Sequence, residues 1–407
     1  MASKSFALKL ILCLIFWTIL LWQFETKYLT AENPLVKSEK GNQTEMEEPS
    51  SHMPVSARVF DILPNQTKSW LIIFWSTYFG EHMNIKLAWK KGECPVPCEV
   101  TGDRSRASDA NGFVVHARDS HMMPPMESVP WILMTLENPV YTPQLTNATF
   151  MSKFNLLTSY RLDYDFPQPY YPLPKLTPPL PAGDKHGLIM AVFSNCEPVR
   201  TEYTRQLMQF VQVDSYGACL KNKDDLIGIY DSRNGKNFKQ LKTELAKRYK
   251  FILVFFNQDC DYFVDDQLIH ALDAGSVPVV MSTDKLDEFL PGNLRHSVIK
   301  VRDFESPEHL ADYLKFLSTN ETEYNKYLEW KWKGIGNITG TAIGAYWKPK
   351  FPLYCQMCVA LSEGQIHKDG LQPIACKPRS LEDWGIKPQV SFVGRLIDKI
   401  KKMLLLI

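Results

Sequence analysis

The residues able to do chemistry fall into a few groups. Glu137, in Leu136-Glu137-Asn138-Pro139, follows the apolar run from Trp131 to Leu136. It would stand at the carboxyl end of a buried strand, where a carboxylate is placed to act as a general base; the alternative is a turn residue ahead of Pro139. Arg200 comes after Ser194-Asn195-Cys196, in the turn following another apolar run. A guanidinium there, with the donors of Ser194 and Asn195, suits phosphate oxygens, although a solvated arginine at a helix start fits equally. Two Asp-x-Asp triplets, Asp163/Asp165 and Asp259/Asp261, have a spacing able to hold a divalent cation, but chance produces such triplets often. Cys94-x-x-x-Cys98 and Cys355-x-x-Cys358 could present four thiolates to zinc or be oxidised to disulfides. The glycine fingerprints of dinucleotide and P-loop sites do not occur.

The elements that must position these groups are legible as alternating patterns. Trp70 to Trp75 (WLIIFW), Phe113 to His116 and Trp131 to Leu136 are short continuous apolar runs, the signature of strands buried on both faces. Pro167 to Asp184 is dense in proline and reads as an inter-domain linker of polyproline character. Beyond it, strands are predicted over Leu188 to Phe193, Val211 to Tyr216, Lys250 to Phe256 and Val277 to Met281. Helices are predicted over Glu202 to Phe210, Phe238 to Lys247, Asp265 to Ala274 and Pro307 to Leu317. Strand–helix alternation implies parallel sheets covered by helices. The fold class expected is therefore α/β, two Rossmann-like domains facing a cleft.

Composition and the chain ends bound the setting. The chain has 407 residues, with 46 Lys plus Arg against 45 Asp plus Glu. That balance of +1 argues against a nucleic-acid partner. Phe6 to Phe24 is an almost unbroken apolar segment, about 28 Å long as a helix, enough to cross a bilayer. No small-residue cleavage site follows, so an uncleaved signal anchor is favoured over a cleaved signal peptide. Lys4 and Lys9 place the N-terminus in the cytosol and the remainder in the lumen. Five sequons, at Asn42, Asn65, Asn147, Asn320 and Asn337, fit a lumenal chain. The expected layout is a cytosolic tail over 1–5, an anchor over 6–24 and a flexible stalk over 25–68. A first domain over 69–180, a second over 187–345 and a disulfide-containing extension over 346–407 follow. Arg395 to Ile407 reads either as a basic amphipathic helix or as a frayed tail.

Between Trp70 and Cys358 stand, in order, GFVVHARD (112–119), WILMTLENPVYTP (131–143), FNLLTSYRLDYDFPQPY (154–170), AVFSNC (191–196), VDSYGACLKNKD (213–224), the block 249–280 and CQMC (355–358). In these blocks and their order the chain resembles the alpha-1,3-fucosyltransferases of the Golgi. The resemblance implies a GT-B arrangement, single-pass type II Golgi membrane placement, and an inverting transfer of L-fucose from GDP-fucose to a GlcNAc hydroxyl. Acceptors of N-acetyllactosamine or N-glycan type follow from it. It also implies Glu137 as the base. The donor-side candidates are Arg200, Ser194, Asn195, Tyr160, Tyr170, Tyr216, Asn257, Asp266 and Gln267, of which Tyr160, Tyr170, Tyr216 and Asn257 fit packing equally well; His116, Arg118 and Trp131 are the acceptor-side candidates, although a lone His in a strand is more often structural. No metal is obligate in the family, Mn2+ being at most a stimulant. Its bridges make two disulfides joining Cys94 and Cys98 to Cys355 and Cys358 the expected state. Cys196, Cys219, Cys260 and Cys376 remain unassigned.

The signature block departs from the family pattern. Phe256 and Asp266 stand where glutamates are expected, Phe263 for a tyrosine, Asp265 for a threonine and Gln267 for a lysine that faces the diphosphate. A lost charge-assisted hydrogen bond costs roughly 1.5–3 kcal/mol, one to two decades in donor affinity. Lys285 and Arg200 are the cations nominated to compensate. A transferase-like glycan-binding protein with weakened or lost catalysis is the alternative reading.

Overall fold

The computed structural model describes residues 68–90, 92–224 and 238–386. The apolar run 6–24, the stalk with Asn42 and Asn65, and the segment 395–407 lie outside the described residues. Among the described residues no helix is long and apolar enough to cross a membrane.

The first sheet holds β1 (Trp70–Phe74), β2 (Lys86–Trp89), β3 (Cys98–Thr101), β4 (Gly112–His116), β5 (Trp131–Thr135), β6 (Leu156–Ser159) and β7 (Phe166–Pro167). Their order is β2-β3-β1-β4-β5-β6-β7. All neighbours are parallel except β2, which runs antiparallel at one edge. Pro167 sits at the opposite edge, where a missing N–H breaks no ladder. The unbroken apolar runs of β1, β4 and β5 are buried on both faces, as their sequences require.

The expected regular alternation fails in this half. Among the described residues its only α-helix before the linker is the single turn α1 (Ala148–Met151), and the β4–β5 connection carries Pro124, Pro125 and Pro130, which bar a helix. One sheet face is covered instead by the returning C-terminal helix Leu353–Ser362. It packs Cys355 and Met357 to Leu361 on Ile72, Phe74, Val114 and Ile132. Cys94–Cys355 and Cys98–Cys358 bond it to the sheet, which removes the zinc alternative for those sulfurs.

The second sheet, β8 (Gly187–Ala191), β9 (Val213–Ser215), β10 (Tyr249–Phe255), β11 (Val277–Met281) and β12 (Ile299–Lys300), has the order β12-β11-β10-β8-β9. It is parallel throughout. Its helices are α2 (Pro198–Leu207), α3 (Phe238–Ala246), α4 (Asp266–Ala274) and α5 (Pro307–Thr319). The remaining helices are α6 (Glu321–Lys326), α7 (Trp330–Lys333), α8 (Ala342–Trp347) and α9 (Leu353–Ser362).

Helix α2 begins four residues before its predicted start. Glu197 caps it, its carboxylate accepting from the N–H groups of Val199 at 3.0 Å and Arg200 at 2.9 Å, with Pro198 in the first turn. Arg200 therefore belongs to a helix rather than to the loop ahead of it. Helix α4 is capped by Asp265 and stops at Gly275, whose φ of 69° lies in the left-handed region.

The two halves share an apolar cluster in which Tyr160, Leu162 and Tyr171 pack with Met190, Phe256, Phe263 and Val264. After α9 the chain forms a strap. It bonds first to the first half (His367 N to Asn155 O, 2.9 Å; Ile374 N to Leu145 O, 2.8 Å). It then joins the second half through Cys260–Cys376 and through Trp384 and Ile386 in its core. Cys196–Cys219 closes a short loop beside β8 and β9.

Candidate active site

In an open parallel sheet, ligands bind outside the carboxyl ends of strands where the winding direction reverses. In the second sheet the reversal lies between β8 and β10. Ser194 and Asn195 follow the first of these strands and Asn257 the second. In the first sheet it lies between β1 and β4; β1 leads into the turn at Tyr78 to Glu81, β4 ends at His116, and Glu137 follows β5. These two edges meet. Asn138 Nδ2 donates to Asn257 Oδ1 at 3.2 Å, and Asn195 Nδ2 to the Tyr141 hydroxyl at 2.7 Å.

Glu137 is half-buried, and its carboxylate has no hydrogen-bond partner among the described residues; only its backbone is held, by Thr135. Burial first, and then the Glu137 charge, push the Tyr78 phenol above its ordinary value. The same two causes lead for Tyr170, with Tyr78, Asp266 and Asp265 contributing. The Glu137 charge thus bears on both Tyr78 and Tyr170.

His116 is buried, and its Nδ1 lies 2.6 Å from Asp119. Burial pushes Asp119 up, but hydrogen bonds from His116 and the N–H groups of Gly80 and Phe79 outweigh it and hold the carboxyl below its usual range. Asp119 thus pins a tight turn in which Phe79 has a φ of 51° and leaves half its ring exposed. His116 packs on that ring at 4.7 Å and Arg118 lies over it at 5.6 Å. Tyr78, Phe79, Asp119 and Tyr141 escaped sequence reasoning because the turn and the β5 edge are adjacent only in space. Trp131 is a correction: it opens β5 at the amino end, away from the cleft, with its indole N–H on Met126 O at 3.0 Å and its ring against Phe154.

On the other side, Arg200 is buried, not solvated. It donates to Phe255 O at 2.8 Å and to Asn195 O, clamping the ends of β10 and β8 together. Burial lowers its pKa, which Asp265 and Glu197 counter and Arg379 reinforces. Tyr216 is buried with its hydroxyl on Tyr249, which in turn donates to Asp214. Tyr160 is buried edge-on to Phe263, and its neighbour Arg161 is held bidentately by Asp163. Phe256 is wholly buried in the shared core.

Gln267 turns back to Asp265, which accepts its side-chain amide at 2.7 Å and its N–H at 2.9 Å. Burial, and then the Asp266 charge, raise the Asp265 carboxyl, against these bonds and the charge of Lys242. Lys242, on α3, lines one small pocket with Gln267 and His270. Lys285 is exposed and bonded to Glu288 at 3.0 Å.

The Asp-x-Asp triplets are engaged elsewhere. Asp163 holds Arg161, Asp165 accepts from Leu157 N and meets His367, and Asp259 binds Arg379 and Trp384. Among the described residues no cluster of three His, Cys, Asp or Glu could hold a metal ion. Asn147, Asn320 and Asn337 each use the side-chain oxygen to accept a nearby N–H, and Asn147 and Asn337 are exposed.

Comparison with known proteins adds the family. The model "Fucosyltransferase, N-terminal" matches residues 67–171, and "Glycosyltransferase family 10 (fucosyltransferase) C-term" matches 182–375. GDP-fucose protein O-fucosyltransferase 3 of Danio rerio is 32% identical over 286 residues, 65% of this chain and 60% of that protein. 4-galactosyl-N-acetylglucosaminide 3-alpha-L-fucosyltransferase 9 of Rattus norvegicus is 32% identical over 249 residues, 58% of this chain and 64% of that protein. The chain thus spans under two thirds of the length of these relatives. A crystal structure of an alpha1,3-fucosyltransferase with GDP-fucose aligns at a TM-score of 0.46 and 16% identity, over 76% of this chain and 94% of that one. With the two family models matching end to end across both sheets, the chain belongs to glycosyltransferase family 10, the fucosyltransferases.

Proposed function

We propose that the protein is an inverting fucosyltransferase that moves L-fucose from GDP-fucose to a GlcNAc hydroxyl of a glycoprotein or glycolipid glycan, in alpha-1,3 linkage. The observation that carries this reading is the meeting of two carboxyl-end crevices, bridged by Asn138–Asn257 and Tyr141–Asn195, next to Glu137, whose carboxylate has no hydrogen-bond partner among the described residues. In the reaction Glu137 takes the acceptor hydroxyl proton while that oxygen attacks the anomeric carbon. The bond from that carbon to the diphosphate oxygen breaks, and GDP leaves with the electron pair. The second edge supplies the donor side: Ser194, Asn195 and Asn257 line the switch point, and Lys242 stands beside Gln267 as a nearby cation. The Phe79 turn, with Arg118 and Tyr78, supplies an aromatic surface on the acceptor side. We place the protein in the Golgi membrane as a single-pass type II chain; the apolar run 6–24 and the lumenal sequons support this.

Two observations favour other readings. The O-fucosyltransferase 3 relative matches as well as the glycan-modifying one, so a protein hydroxyl is the rival acceptor. The side chain of Gln267 is spent on Asp265, which favours weakened donor binding. Transfer of labelled fucose from GDP-fucose by the full chain to N-acetyllactosamine, a core N-glycan and a serine- or threonine-bearing folded domain decides among them. Turnover on N-acetyllactosamine that disappears in Glu137→Gln supports the proposal. Turnover only on the protein acceptor replaces the glycan reading, and silence with every acceptor, together with no GDP protection in thermal melts, leaves the binding-protein reading.

A further inference from the structure

Beyond residue 375, where the family match ends, the strap delivers one more guanidinium to the cleft. The Arg379 side chain is 3% exposed. It donates to Glu197 Oε2 at 2.9 Å, to Asp259 Oδ1 at 2.6 Å and to the carbonyl of Phe256 at 2.9 Å. Each partner bears on the site. Glu197 is the cap that starts α2 and orients Arg200. Phe256 O immediately precedes Asn257, the residue that reaches Asn138 across the cleft beside Glu137. Asp259 also accepts the Trp384 indole N–H at 3.0 Å, and its carbonyl accepts Lys377 N at 3.2 Å.

We propose that Arg379 is a positioning residue for the active site, tying the C-terminal strap to the donor edge and fixing Asn257 and the start of α2 against the acceptor edge. Arg379 and Arg200 hold successive carbonyls, Phe256 O and Phe255 O, so the end of β10 is clamped by two guanidiniums. Charges in the cluster balance: Glu197 and Asp259 against Arg200 and Arg379. Without Arg379, two carboxylates would face one cation beneath a site that must receive a diphosphate. Arg379 and Arg200 each keep a buried Nε–H with no partner among the described residues, a cost that a stability-optimised core would avoid. A buried ion pair is weak evidence for stability and better evidence for a fixed geometry. Being buried, Arg379 touches no substrate; it acts through Glu197 and Phe256. Its expected effect on GDP rests on the transferase reading above.

The test uses the full chain and the variant Arg379→Lys, which keeps the charge but cannot serve three acceptors from one planar fork. Asp259→Asn removes one ion pair should the first variant fail to fold, and Lys377→Ala, an exposed strap residue, is the control. Hydrogen exchange, the GDP Kd and steady-state kinetics are measured on each. Expected for Arg379→Lys are faster exchange at residues 138–141 as well as 256–258, a GDP Kd raised about tenfold, and a kcat lowered by roughly 10- to 100-fold with acceptor KM unchanged. Lys377→Ala behaves as wild type. A variant that loses only resistance to urea, with exchange at 138–141, GDP Kd and kcat unaltered, overturns the proposal and leaves Arg379 structural. If wild type binds no GDP and transfers no fucose, the transferase reading falls, whereas exchange across the cleft at 138–141 still decides the role of Arg379.

Discussion

At the scale of single residues, the cleft separates groups that are free from groups that are spent. Glu137 has a carboxylate without a hydrogen-bond partner among the described residues, at a strand end, so Glu137→Gln should lower kcat by roughly 10²–10⁴ while leaving GDP affinity near wild type, as expected for loss of a general base; steady-state kinetics with a GDP titration check both parts. Lys185 shows the opposite economy. It is buried, donates to Tyr249 O and Gly275 O, and has its pKa pushed down to about 7 by burial and then by the charges of Lys331 and Lys250. An unfolded lysine titrates near 10.4, so between about pH 7 and 10 the unfolded chain holds a proton that the folded one has released. Stability from this group therefore rises with pH across that window and is lost on descending to 7. Lys185→Met should flatten the wild-type slope by at most about 1.4 kcal/mol per pH unit, read by urea unfolding at pH 7, 8 and 9. Neither Lys185 nor Asp119 was legible beforehand, since isolated residues gain their perturbed environments only from distant segments.

At the scale of elements, caps set where functional side chains fall. The start of α2 moved because the cap is Glu197, a residue whose type does not announce an N-cap, and Arg200 moved into the helix with it. Helix α4 was read to within a residue, because Asp265 and Gly275 are ordinary start and stop signals. Asp265→Ala should cost about 0.5–2 kcal/mol of stability, whereas Asp265→Asn keeps the cap acceptor and should cost less; urea melts of the two variants compare them. The strands β1, β4 and β5 of the first sheet and β8 to β11 of the second were legible because continuous apolar runs admit little else, whereas the internal strands β3 (CEVT) and β6 (LLTS) carry polar residues and were not. The edge strands β2 and β12 were not: β2 is KLAW, largely exposed, and exists only because β3 offers it a ladder.

At the scale of the whole molecule, both halves are tied by chain that returns from the C-terminal end. Two disulfides bond α9 to the first sheet over sequence separations of 261 and 260 residues. Cys94→Ser with Cys355→Ser should cost about 2–5 kcal/mol if unshared, and less while Cys98–Cys358 remains; denaturant unfolding of the single-bridge and double-bridge knockouts measures the difference. Cys260–Cys376 and the strap around it then link the first half to the second.

What the sequence by itself determined is what local chemistry dictates. Three strands of the first sheet, four of the second, the proline linker and the helices α2 to α5 follow from apolar runs, caps and spacing that need no partner to be read, and the family motifs are there to be compared in the chain itself. Only the tertiary structure decided that Trp131 is core rather than cleft, that Arg200 is buried under two carbonyls, and that Phe79, Tyr141 and Arg379 belong to the site at all. The reason is physical: Glu197, Asp259 and Arg379 lie up to 182 residues apart along the chain, and a buried charge declares its role only when its partners are in place.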